Sequence, residues 1–177
     1  FLPDHYGPVF ESLGGSWQLV RQSETNGQFG FVYESPTLSS TLLVENIPSE
    51  RATAQPLFAN IVTRLNQLIA SNKGSFVEIN ETDLQANVIL PSYVQSVLVF
   101  SLPRSIQIWT FSTTIKNSRT FNLLPQAIRR QVNRQRYEEA IQSGNISMGY
   151  WNNSIREHAM TRLGDGDTAQ ALSVLKV

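Results

Sequence analysis

The sequence predicts an α+β fold in which an antiparallel β-sheet of about six or seven strands is packed by two main helices, with a short helical C-terminal tail. Two observations give this prediction. Segments with a period of two residues stand before and after one segment with the helical period, and only short links connect them. Two of these segments are apolar on both faces, which is typical of central strands that are covered on two sides.

Three strand segments precede the helical segment. They are Ser16–Gln22, Phe29–Glu34 and Ser40–Ile47. In the second, Phe29, Phe31 and Tyr33 alternate with Gly30, Val32 and Glu34, so the two sets face opposite sides of a strand. The dipeptide Asn26–Gly27 between the first two segments is a strong hairpin signal, and it predicts that these strands are neighbours.

The next segment has the period of an amphipathic helix with one buried stripe. The apolar positions recur at steps of three and four residues, and they are Leu57, Phe58, Ile61, Val62, Leu65, Leu68 and Ile69. Pro56 suits the first turn of this helix. We expect Gly74, after Lys73, to provide a left-handed stop at its end.

Four further strand segments follow, and the last two are the strongest. The segments are Phe76–Asn80, Ala86–Leu90, Ser96–Leu102 and Ser105–Ile115. The last two are nearly apolar on both faces, which places them in the centre of the sheet. The link Leu102–Ser105 indicates a tight antiparallel hairpin between them.

A second long helix is predicted at about Leu124–Ser143, with Ile128, Val132 and Ile141 turned inward. The following tail has a helical stripe at Ser154–Leu163.

The chain length of 177 residues fits one domain. We expect residues 1–15 to form an N-terminal arm without a helix or strand, because this segment holds two prolines and two adjacent glycines. Residues 16–144 form the single α+β domain, and residues 145–177 form a helical extension.

Composition excludes several classes of protein. The 14 basic residues equal the 14 acidic residues, so the net charge is zero, which argues against nucleic-acid binding and leaves a soluble globular domain as the expectation. No apolar run is long enough to span a membrane. Cysteine is absent, which excludes disulfides, zinc–thiolate sites and thiol catalysis. Only 16% of residues are charged, and the resulting amide-rich surface is typical either of the source organism or of a subunit in an assembly.

No catalytic constellation stands out. The two histidines, His5 and His158, are candidates for a general base, but no Gly-x-Ser-x-Gly motif supplies a serine nucleophile. The run Gly164–Asp167 alternates glycine with aspartate; helix capping explains it better than a metal site, because the later acidic ligands are missing. We therefore predict no catalytic residues, no metal and no cofactor.

The main concentration of charge is a group of arginines on the second helix. It consists of Arg129, Arg130, Arg134 and Arg136. One interpretation is a solvated face balanced by Glu138 and Glu139. Another is docking to an acidic protein surface, because guanidinium groups bind carboxylates in bidentate geometry. Nucleic acid or anionic lipid is a weaker alternative, so peripheral membrane association stays open.

Tyr150 and Trp151 form an aromatic pair before the tail helix. Such a pair either covers the core or anchors a partner. Together with the four arginines, these two residues are the candidates for partner binding.

The segment Gly27–Pro36 contains the run Phe-Gly-Phe-Val-Tyr and resembles the opening hairpin strand of the PsbP/Mog1-like family. The order of elements over residues 16–144 is also similar, although Thr37–Ser39 stands where that family has an aromatic residue. The resemblance implies an α-β-α sandwich that acts as a non-enzymatic accessory or assembly factor. Members in plastids and cyanobacteria attach to photosystem II on the lumenal side.

Three functional hypotheses follow. The first is a non-catalytic accessory or structural subunit that binds other proteins in a larger assembly. The alternative is a small-ligand or glycan binding module, because Trp, Tyr, Asn and Gln suit neutral ligands. The second alternative is a hydrolase that uses His5 or His158 with Asp4 or Asp165. The compartment stays open; a chain that begins at Phe1 agrees with a processed protein that is exported or enters an organelle lumen.

Overall fold

The computed structural model describes residues 7–114 and 125–136. The chain divides into two compact units, Phe1–Pro125 and Gln126–Val177, and each is described by itself. The predicted domain boundaries at residues 15 and 144 stay predictions. The predicted tail helix lies outside the described residues.

The first unit contains a seven-stranded antiparallel sheet, which confirms the predicted α+β class. The strands are β1 (Gln18–Thr25), β2 (Gln28–Ser35), β3 (Ser40–Pro48), β4 (Ser75–Asn80), β5 (Gln85–Ile89), β6 (Tyr93–Ser101) and β7 (Ser105–Thr114). Their order across the sheet is β1-β2-β3-β7-β6-β5-β4. The helices of this unit are α1 (Gly7–Leu13) and α2 (Ala54–Asn72). The two most apolar strands, β6 and β7, are paired neighbours inside the sheet, as predicted.

A tight turn at Asn26 and Gly27 joins β1 to β2. Both residues have positive φ angles, 53° and 76°, as a type I′ turn requires. The turn places Thr25 opposite Gln28 and sets the pairing of the two strands. The predicted hairpin is therefore confirmed.

Helix α2 packs its apolar stripe against one side of the sheet, which is called the α2 face below. Phe58 and Leu65 are buried in the stripe. They belong to a cluster with inward residues of three strands: Ala86, Val88, Val97, Val99, Ile106 and Ile108. The main contacts of α2 are with β5 and β6, on the side of the sheet away from β1 and β2.

The end of α2 differs by one residue from the prediction. Lys73, rather than Gly74, takes the left-handed conformation, with a φ of 54°. Gly74 is required for another reason: a Cβ atom there would lie 2.7 Å from the backbone oxygen of Ile89 and 2.7 Å from Leu90 Cδ2. The glycine allows close approach of two backbone segments, and the turn itself is made by a lysine.

The opposite face of the sheet carries an aromatic core. Phe10 of α1 lies 5.3 Å from Trp17 and 4.7 Å from Tyr33, measured between ring centroids. Trp17 is 6.3 Å from Phe111 of β7, and Trp109 beside it is fully buried. The expectation of an arm without helix or strand is thus wrong for residues 7–13. The glycines and prolines in and around this segment did not indicate a helix, but the structure has one, and its residues Val9 and Leu13 are buried.

Both edge strands contain a β-bulge. In β1 the register shifts between Leu19 and Arg21, and in β4 it shifts between Phe76 and Glu78. The extra residue is a valine in each case, Val20 and Val77, with exposed fractions of 49% and 56%. A bulge twists an edge strand and limits its pairing with other chains.

The described residues 125–136 are helical and are called α3. Ile128 and Val132 are fully buried, as predicted for the inward side of the second helix, while the predicted continuation to Ser143 lies outside the described residues.

Candidate functional site

A groove of about 410 Å³ lies on the α2 face of β1, β2 and β3. Helix α2 covers the β5 and β6 part of this face, and the groove lies beside it on the first three strands. The lining is mixed in character and consists of Arg21, Ser23, Thr25, Gln28, Phe29, Gly30, Val32, Leu43 and Glu45.

Strand register brings the central residues of the groove together. Ser23 of β1 pairs with Gly30 of β2, and Gly30 pairs with Glu45 of β3, so the three lie in one row across the sheet. Gly30 has no side chain, and a Cβ atom there would lie 2.8 Å from Ser23 Oγ. The missing side chain thus leaves a notch at Gly30 that the Ser23 hydroxyl partly occupies, and Glu45 is the neighbouring residue on β3.

Glu45 is the ionisable group at the base of this notch. Burial raises the pKa of its carboxyl above the ordinary value of 4.5, and the nearby positive charge of Arg64 on α2 partly opposes this rise. The Gly30 side of the row is open, while on the other side Glu45 is paired with Ile108, a residue of the apolar cluster under α2. The carboxyl thus stands at the border between the groove and the core.

The next row of the groove places Arg21 of β1 beside Val32 of β2 and Leu43 of β3. Arg21 provides hydrogen-bond donors at the outer strand, and Val32 and Leu43 provide an apolar floor. This arrangement can bind a small polar molecule and orient it by charge. Within residues 7–114 and 125–136, no group of three or more His, Cys, Asp or Glu side chains could hold a metal ion.

Replacing Glu45 with glutamine should stabilise the protein at neutral pH. Because the folded carboxyl has a raised pKa, the folded state binds the proton more tightly, and the resulting stability is full below pH 4.5 and is lost as pH rises through the folded pKa. Glutamine does not titrate, so the stability of Glu45→Gln lacks this pH dependence. The variant should be more stable than the wild type at neutral pH, by less than about 1 kcal/mol because the group is partly solvated, and this difference should vanish in acid.

Urea unfolding of the wild type and the variant across this pH range measures the effect. Glu50→Gln, in an exposed turn, is the matched control and should change neither the stability at neutral pH nor its dependence on pH. A Glu45→Gln variant that is less stable than the wild type at neutral pH would contradict the account.

The four predicted arginines lie on α3. All four are half-buried, beside a stripe in which Ala127, Ile128, Gln131 and Val132 are buried. The Arg136 guanidinium donates a hydrogen bond to Asn133 Oδ1 over 3.4 Å. Their aliphatic stems therefore share in the burial of the helix, as is usual for long basic side chains. The interpretation of these arginines as partner-binding residues stays a prediction.

The remaining predicted site residues lie outside the described residues. These are Tyr150 and Trp151, together with His5, His158, Asp4 and Asp165 of the hydrolase hypothesis.

Glu45 and its groove were not among the features predicted from the sequence. One signal was present: Glu45 follows the apolar run Leu42–Val44 on a strand rich in β-branched residues, where a carboxylate is unusual. Its meaning depends on Gly30 and Ser23, which only the pairing of three strands places beside it.

In the part of the chain that the structure describes, no helix has the length and apolar character needed to cross a membrane. No protein-family model matches the chain, and neither a curated protein nor a solved structure matches it. The resemblance to the PsbP/Mog1-like family therefore stays a prediction.

Proposed function

We propose that the chain is a non-catalytic subunit that binds other proteins within a larger assembly. The observation that carries this proposal is strand β1, which lies at the edge of the sheet with all eight of its residues exposed. An edge strand presents unpaired backbone N–H and C=O groups, and a partner strand can bind there by β-augmentation.

The hairpin turn indicates which groups of β1 face outward. Thr25 and Gln28 close a two-residue turn, so they form a hydrogen-bonded pair, and Ser23 with Gly30 forms the next one. Glu24 lies between these two pairs, and Gln22 lies beyond the second. The backbone N–H and C=O groups of both residues therefore point away from β2. Beyond the bulge, Arg21–Thr25 is an unbroken paired run long enough to receive a short partner strand.

The arginines of α3 support the same proposal independently. Four guanidinium groups on one short helix suit a partner with surface carboxylates, because this pairing is charge-assisted and planar. Such contacts weaken as salt increases.

The substitution Gln22→Pro tests the proposed binding of a partner strand at the edge of β1. Gln22→Pro removes one outward N–H and leaves the hydrogen bonds between β1 and β2 in place, since that N–H does not point to β2. Cross-linking and light scattering on protein from its native source should show a bound partner, and Gln22→Pro should weaken this binding by at least about tenfold.

Gln22→Thr keeps the N–H and is the matched control, so it should bind the partner as the wild type does. Two results would overturn the proposal. One is a monomer without a co-purifying protein in the native extract. The other is a partner that Gln22→Pro binds with unchanged affinity.

A further inference from the structure

The groove beside α2 contains charges of both signs at separate positions. Glu45 lies on β3 and Arg21 on β1, so their backbones are two strand spacings, about 9.6 Å, apart across the sheet and two residues, about 6.8 Å, apart along it. Arg64 on α2 adds a second positive charge close to Glu45. With Glu45 ionised, two cations flank one anion, so a ligand with only positive charge would be repelled.

The notch at Gly30 favours a small positively charged head group next to Glu45. The notch is bordered by Ser23, whose Oγ would lie 2.8 Å from a Cβ atom at Gly30, and by Glu45, which pairs with Gly30 on β3 and lines the same groove. An ammonium group would offer hydrogen bonds to both oxygens and would offset the burial of the carboxylate. At the other end, the guanidinium of Arg21 suits a carboxylate in bidentate geometry.

The size and floor of the groove restrict the rest of the ligand. A volume of about 410 Å³ lies near the lower end of ligand pockets, roughly 300 to 1,000 Å³. Val32 and Leu43 can contact an aliphatic side chain of the ligand. Phe29 alternates with Gly30 along β2, so its ring belongs to the opposite face and does not provide the aromatic platform on which sugars stack.

We propose that this groove is a binding site for a small zwitterion of the amino-acid class, a free amino acid or a dipeptide, with its ammonium group at Glu45 and its carboxylate at Arg21. Arg21 and Ser23 belong both to β1 and to the groove, but this inference uses their side chains on the α2 face, whereas the function proposed above uses the outward backbone groups of Gln22 and Glu24.

Isothermal titration calorimetry with the full chain tests the proposal. The probes are the standard free amino acids and glycine-containing dipeptides, each compared with its N-acetylated and its C-amidated form. We expect at least one zwitterion to bind and each blocked form to bind at least about tenfold more weakly.

Two substitutions locate the binding. Glu45→Gln removes the charge at nearly constant shape, and Gly30→Ala fills the notch; both should reduce the affinity by at least about tenfold. The new methyl group meets only the rotatable Ser23 hydroxyl, so Gly30→Ala should still fold, which circular dichroism checks. Glu50→Gln, on an exposed turn, should bind as the wild type does.

Three results would overturn the proposal. The first is that no amino acid or dipeptide binds. The second is that blocked and unblocked forms bind equally. The third is that binding persists unchanged in Glu45→Gln and Gly30→Ala. Binding of neutral sugars in place of zwitterions would equally overturn it and would favour a glycan module.

Discussion

Replacing Trp109 with alanine is expected to lower the free energy of unfolding by about 3–5 kcal/mol, the largest single loss among the substitutions considered. Trp109 is fully buried in the centre of the sheet, paired with Val44 of β3 and Leu98 of β6, which are also fully buried. Its indole N–H donates a hydrogen bond to Gln107 Oε1 over 3.2 Å. Truncation removes the ring contacts and the hydrogen bond and leaves a cavity that this sheet cannot close.

Urea unfolding followed by circular dichroism measures this loss. Trp109→Phe keeps an aromatic ring and should lose clearly less stability than Trp109→Ala. Val77→Ala, at an exposed bulge in β4, should stay within about 0.5 kcal/mol of the wild type. If Trp109→Ala proved no less stable than Val77→Ala, the described core would be wrong.

Replacing Gly74 with alanine is expected to lower the free energy of unfolding by about 1–3 kcal/mol. The added Cβ would lie 2.7 Å from the Ile89 backbone oxygen, and the start of β4 would have to move away from the end of β5. A backbone atom cannot rotate aside as a side chain does, so the strain is not relieved cheaply.

Gly14 is the matched control, because a side chain there would meet an unfavourable backbone conformation but no steric clash. Its φ is +70°, and a Cβ atom there would have no atom within 4 Å. Gly14→Ala should lose about 1–2 kcal/mol through its left-handed backbone. Asparagine tolerates that conformation, so Gly14→Asn should recover part of the loss, whereas Gly74→Asn should be worse than Gly74→Ala. Recovery with asparagine at Gly74 would show that φ, and not space, requires the glycine.

Local patterns predicted most of the fold. The stripe of α2 follows from the spacing of Phe58 and Leu65, and the β1–β2 hairpin follows from Asn26 and Gly27, because in both cases a short segment determines the geometry. Helix α1 was missed because its seven residues begin with Gly7 and Pro8 and are followed by two glycines, and its stability comes from tertiary contacts such as the stacking of Phe10 on Trp17.

The groove was beyond prediction for a different reason. Glu45 and Gly30 are brought together by the link between β2 and β3, which contains a 3₁₀ turn at Pro36–Leu38 and a left-handed Ser39 with a φ of 46°. Nothing in the local sequence fixes that geometry, and a shift of one residue would turn Glu45 to the opposite face. The open half of the α2 face likewise depends on where α2 rests, which the period of a helix does not determine.

The bulges in the edge strands β1 and β4 limit how far association of copies through the sheet edges can extend. A continuous fibre requires each copy to have two compatible sheet edges, one for each neighbouring copy. Past its bulge, β4 keeps only Glu78–Asn80 in regular pairing, whereas β1 keeps Arg21–Thr25. If a guest strand binds at β1 as proposed, the shorter regular run of β4 is a poor second edge, and we expect association through the sheet to end after a single addition.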